Sequence, residues 1–137
     1  CKVVDYTKYN RNKLMSIART AIKKLKFLGA AIADGQALKG VEKGPSLIRN
    51  SKVLDMIRRT ENIDVTDLGD VYTTDEDRKK YPPVPFAVRN LHVLGPILGR
   101  LHETAYQAMK DADSALVTVG GDHSIAAGTI SAVKRVH

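Results

Sequence analysis

The sequence predicts an α/β fold of three layers, with a parallel three-stranded sheet sandwiched between helices. Three observations carry that expectation. Short apolar runs alternate with segments of helical period in the order β-α-β-α-β-α. The hydrophobic content is 43% while aromatics make up 5% and Trp is absent, so the core must come from Leu, Ile, Val and Ala, a palette suited to helix-on-sheet packing. Gly-bearing polar turns follow the first and third apolar runs, where the chain must leave the sheet for a right-handed crossover.

Residues 1–26 read as a basic arm and residues 27–137 as one α/β domain. Within the arm, Leu14, Ile17, Ala18, Ala21, Ile22 and Leu25 recur at three- and four-residue spacing, with Arg19, Lys23 and Lys24 between them, the pattern of an amphipathic helix. Lys26–Ala31 then predicts the first strand, feeding a polar loop from Asp34 to Gly44. Pro45 stands at a helix start, and Leu47, Ile48, Leu54 and Ile57 give that helix an apolar stripe to about Arg59. Ile63, Val65 and Leu68 suggest the second strand, closed by Gly69-Asp70.

Residues 71–85 are charged and rich in proline, which reads as a surface excursion without a core element. Leu94, Ile97, Leu98, Leu101, Ala105, Ala108 and Met109 restore helical period over residues 90–112, with Gly95-Pro96 marking a kink or a late start. Ala115–Val119 is nearly all apolar, as a strand buried on both faces should be. Ile125, Ala126, Ile130 and Val133 carry a last helix to the chain end. No internal repeat is found, and such a sheet has open edges.

The charge narrows the function classes. The net charge is +7, but residues 1–26 hold eight Lys or Arg against Asp5 alone, and the remainder is balanced at 14 against 14. A cationic terminal arm is not the cation-covered folded face, interleaved with aromatics, that nucleic-acid binding requires, so no nucleic-acid partner is expected. The arm's composition resembles a mitochondrial transit peptide with Met15 as a possible initiator, and an ordinary surface helix shows the same pattern. Cys1 is the one cysteine, which excludes an internal disulfide framework and fits a reducing compartment, cytoplasm or mitochondrion. No run approaches the roughly 18 apolar residues of a membrane span, so no membrane partner is expected.

Ligands of open parallel sheets bind beyond the carboxyl ends of the strands. Two loops lie on that side, Asp34–Pro45 and Gly120-Gly121-Asp122-His123-Ser124. In the second, the His123 imidazole suits a borderline divalent ion such as Mn²⁺ or Zn²⁺, with Asp122 as a supporting group. The alternative reading is that Asp122 and Ser124 cap the following helix and His123 merely packs. An anion cradle at that helix start is a third, though it lacks the usual Lys or Ser/Thr pattern. His92, His102 and His137 have no ligand spacing with His123, and the five tyrosines are scattered.

The motifs together resemble the arginase/agmatinase (ureohydrolase) superfamily over about residues 27–137. Gly120-Gly121-Asp122-His123-Ser124 is similar to its first metal motif. Gly35-Gln36, then Gly40-Val41-Glu42-Lys43-Gly44-Pro45 and Ile48-Arg49, resemble the arginase signature, and Asp67-Leu68-Gly69-Asp70 resembles the close of its second strand. Gly128-Thr129-Ile130-Ser131 and Arg135-Val136-His137 also look like arginase. The Gly-Gln and Gly-Val-Glu-Lys-Gly-Pro stretches favour arginase proper over agmatinase.

The resemblance implies the amino-terminal part of the arginase fold and a two-manganese centre whose bridging hydroxide attacks the guanidinium carbon of L-arginine, giving L-ornithine and urea. It implies that His123 is a terminal ligand to one manganese, with Gly120, Gly121, Asp122 and Ser124 shaping its turn. Gly35, Gln36, Gly40, Glu42, Gly44, Pro45 and Arg49 are then structural. The family's other ligands, an Asp-x-His-x-Asp cluster and a later Asp-x-Asp pair, have no counterpart here. These 137 residues are therefore expected to be a fragment, inactive alone, of an enzyme that forms a homo-oligomer, a trimer by resemblance. A truncated, non-catalytic paralogue acting as a binding module is the alternative.

Overall fold

The computed structural model describes residues 22–61, 63–81, 83 and 90–137. Three parallel strands, β1 (Lys24–Ala31), β2 (Asp64–Tyr72) and β3 (Ser114–Gly120), form one sheet in the order β2-β1-β3. Helices α1 (Gly44–Asn50) and α2 (Val53–Glu61) lie between β1 and β2, after a 3-10 turn at Val41–Lys43. Helices α3 (Asp75–Lys80) and α4 (Leu91–Met109) lie between β2 and β3, and α5 (Ile125–Val136) follows.

Alternation along β1 builds the three layers, because successive side chains of a strand point to opposite faces. Leu28 and Ala30, with Ile32 just beyond the strand, pack on Leu94, Ile97, Leu101 and Ala105 of α4 and Ala132 of α5. Phe27 packs to the other side with Leu54 and Val65, where Ile48 and Ile57 from α1 and α2 close over it. Leu28, Ile32, Ile97 and Leu101 are fully buried, and each such side chain contributes roughly 1.5–3 kcal/mol through removal of apolar surface from water. The expected α/β sandwich is thus the observed one.

Several element bounds differ from the sequence reading. Of the amphipathic stretch in the arm only residues 22–25 are described, and Lys24 and Leu25 already belong to β1, paired with Asp64 and Val65 on one side and Ser114 and Ala115 on the other. The rest of the arm lies outside the described residues. The single helix expected from Pro45 to Arg59 is two helices. Ser51 turns its hydroxyl back to the Ile48 carbonyl at 2.7 Å, and Lys52 takes a left-handed φ of 60°, which ends one helix and lets the next begin.

Strand β2 does not close at Gly69-Asp70. The register steps from Phe27↔Asp67 to Gly29↔Asp70, so β2 carries one extra residue, and Gly69 at φ 78° absorbs it as a bulge before pairing resumes to Tyr72. The stretch expected to be a mere excursion therefore begins as strand and continues as a helix. Thr74 and Asp77 form a reciprocal capping box at the start of α3, while residues 82 and 84–89 lie outside the described set. Helix α4 begins at Leu91, well ahead of Pro96, which it contains.

Candidate functional site

At the carboxyl end of the sheet the two predicted loops meet. The chain leaves β1 at Ala31 and is pinned to the far loop at once, the Gly121 N–H donating to the Ala30 carbonyl at 3.2 Å and the Asp122 N–H to the Ile32 carbonyl at 2.9 Å. Such closeness demands glycine: a Cβ on Gly121 would sit 2.1 Å from the Ile32 oxygen, and one on Gly120 would strike Ile125. Gly44 likewise lies against the end of β3, where a Cβ would come within 2.8 Å of the Gly120 carbonyl oxygen. Pro45, buried at the first turn of α1, packs beside Gly29.

Asp122 closes this junction. Its carboxylate accepts from the Gly35 N–H at 2.7 Å and from the Ser124 N–H at 2.8 Å, and the Ser124 hydroxyl donates to it as well. The expected capping of α5 by these two side chains is not found: Ser124, at the helix start, makes no side-chain cap, and the Asp122 carboxylate reaches the Ser124 N–H but no N–H within the helix. Beside it the His123 side chain is exposed, at the tip of the turn. Among the described residues no group of three His, Cys, Asp or Glu side chains comes together in a way that could hold a metal ion.

The remaining signature residues are local. Gln36 donates to the Leu38 carbonyl at 2.8 Å, and Glu42 accepts from the Gly40 N–H at 2.7 Å, where Gly40 takes a φ of 116°. A bond from its own backbone, above all, and the one from Gly40 hold the Glu42 carboxyl below its ordinary range. Arg49 stands apart from the loops. It grips both oxygens of Asp67 at 2.6 and 2.9 Å, reaches Asp70 at 2.8 Å and lies 5.0 Å over the Phe27 ring. The bond to Asp67, above all, raises the guanidinium pKa, and Arg49 in turn lowers that of Asp67.

A second anchor of the first loop was not singled out in the sequence. Asp34 is 4% exposed and accepts from the Thr73 hydroxyl at 2.6 Å and from Arg78 at 2.7 Å, while the Asn90 side chain donates to its carbonyl at 2.9 Å. Burial opposes its charge, yet the Thr73 and Arg78 bonds prevail and hold its pKa below the ordinary value. Its partners lie 39 to 56 residues away, and only its position at the end of β1 hinted at a role. An open cleft of about 570 Å³ between β2, α3 and α4 is lined by Tyr72, Glu76, Lys80 and Arg100 among others, and none of the residues of the two loops lines it.

The sequence model of the arginase family matches residues 23–137. The chain belongs to the arginase family. Among curated relatives, arginase-1 of Xenopus laevis is 35% identical over 114 residues, covering 80% of this chain and 33% of that arginase. Arginase-1 of Mus musculus is 35% identical over 115 residues, covering 84% and 34%. The solved arginase of Bacillus caldovelox superposes with a TM-score of 0.68 at 27% identity, over 82% of this chain and 37% of that one. This arginase-family chain therefore spans about a third of the length of the relatives it matches, as the amino-terminal part of a larger arginase fold. Among its described residues no helix is long and apolar enough to cross a membrane.

Proposed function

We propose that this chain is part of a manganese-dependent arginase, which converts L-arginine and water to L-ornithine and urea, and that His123 is a terminal ligand to one of two manganese ions. The observation that carries this is the Gly120–Ser124 turn of a family member, which holds an exposed imidazole at the carboxyl end of β3 while both oxygens of the carboxylate beside it accept hydrogen bonds from the two loops. An exposed imidazole is a suitable single donor for such an ion, while Asp122, buried and with both oxygens already accepting from Gly35 and Ser124, plays a supporting part. When bound, the metal pair supplies Lewis acidity and a lowered pKa for water.

The chain's own residues present His123 and exclude slack around it. Gly120 and Gly121 bring the turn against the backbone of Ala30 and Ile32, and Asp122 holds its underside to Gly35. One imidazole does not hold two divalent ions, so these residues alone are expected to be inactive, and the complete protein is expected to assemble as a trimer. In the full-length protein, His123→Ala is expected to weaken manganese binding by at least roughly 100-fold, beyond the usual effect of an outer-shell change. Titration calorimetry measures this, and urea release from L-arginine reports the activity. Unchanged manganese affinity in that variant sinks the assignment of His123, and urea release by the 137-residue chain with added manganese sinks the expected inactivity.

A further inference from the structure

Every partner of the Asp122 carboxylate is a donor. Gly35 offers one backbone N–H and Ser124 offers another together with its hydroxyl, and the residue is 5% exposed, so water does not substitute for them. Both oxygens are needed, one for each loop. The main chain of the same residue also donates to Ile32. The fit is tight as well as directional, since a Cβ on Gly35 would lie 3.0 Å from both carboxylate oxygens. The segment after β1 is thus tied to the His123 turn by backbone at Ile32 and by side chain at Gly35, three residues further on.

We infer that Asp122 is a positioning residue that couples the two loops, so that a divalent ion held at His123 also orders the Gly35–Gly44 segment. The inference rests on the reading of His123 as a metal ligand. Ordering of the turn by a metal stabilises the geometry in which Asp122 grips Gly35, and linkage makes the effect reciprocal: an intact grip strengthens metal binding by the same factor. Asparagine is the discriminating replacement. Its one acceptor oxygen serves either the Ser124 N–H or the Gly35 N–H, and its amide group meets a donor at the other.

The test uses hydrogen exchange by mass spectrometry on the full-length protein, with and without manganese chloride, following residues 33–44 against residues 74–81 of the α3 region. In the wild type, manganese is expected to slow exchange in residues 33–44 by about tenfold and to leave residues 74–81 unchanged. In Asp122→Asn that response disappears, and the manganese dissociation constant rises about 10–100-fold. Wild-type protein that binds manganese and releases urea without any slowing in residues 33–44 overturns the coupling, and needs no variant that folds. An Asp122→Asn protein with wild-type affinity and response overturns the role of the carboxylate. Wild-type protein that takes up no manganese overturns the metal reading itself, and the coupling with it.

Discussion

Arg49 shows how much one side chain can join. Its planar fork meets Asp67 with two bonds and Asp70 with a third while its face covers Phe27, and Gly29 leaves the room for Asp70, whose oxygen would otherwise collide with a Cβ. A lysine offers a point charge without the fork, so Arg49→Lys is expected to cost about 1–2 kcal/mol, read from the denaturant midpoint of the full-length protein. Asp34 carries a pH prediction. Its pKa in the folded state lies below the ordinary 3.8, so its contribution is present above that value and is lost as pH falls through the folded value. Asp34→Asn should flatten the acid limb of the stability profile; an unchanged limb contradicts this. Neither network was legible beforehand. The sequence marked Arg49 as part of a structural signature, but its partners lie 18 and 21 residues away, and spacing of that kind carries no local signal.

At the scale of elements, the apolar pattern found every strand and the long helix, although only β1 is buried along its middle. Strand β2 buries Val65 alone, and β3, expected to be buried on both faces, is an edge strand among the described residues, only half-buried and exposing Val117. The pattern failed where a single residue changed the backbone. Lys52 and Gly69 both take positive φ, the first splitting a helix and the second carrying a strand past its apparent end. The capping pair Thr74 and Asp77 lies among charges in a stretch that reads as an excursion, yet it starts a helix tied down by Asp77 on Arg100 and by Arg78 on Asp34, and the Arg100 bonds pull the Asp77 pKa down. The crossing of α4 and α5 rests on Gly128, where a Cβ would meet the Leu98 carbonyl oxygen at 3.0 Å and Leu101 at 3.1 Å. Contacts from Gly128 to Leu98, Ser131 to His102 and Arg135 to Glu103 advance in one direction, so the two helices run parallel. Gly128→Val should force them apart at a cost of about 1–3 kcal/mol, seen as a lowered Tm of the full-length protein; an unchanged Tm argues against a tight crossing.

Among the described residues, the sheet order leaves β2 and β3 each paired on one side only, and α5 exposes Ile130 and Val133. Expressed alone, the 137-residue chain is expected to aggregate or remain partly ordered, and a soluble monomer with one sharp cooperative melt refutes that. The turn bearing His123 was legible because its five residues are contiguous; the clasp from Asp122 to Gly35 was not, because only the fold brings residues 87 apart together. The central place of β1 has a further consequence, in time. It is made first, yet one of its two neighbours is β3, with Lys24 opposite Ser114. At translation rates of about 5–20 residues per second, the strand waits roughly 5–20 s for that partner. The apolar run from Phe27 to Ala31 is preceded by Lys23, Lys24 and Lys26, charges that discourage pairing with other nascent chains during the delay. Once β3 arrives, Lys24 and Lys26 come to rest on Asp111, the same lysines passing from guards of an unfinished strand to fastenings of a finished sheet.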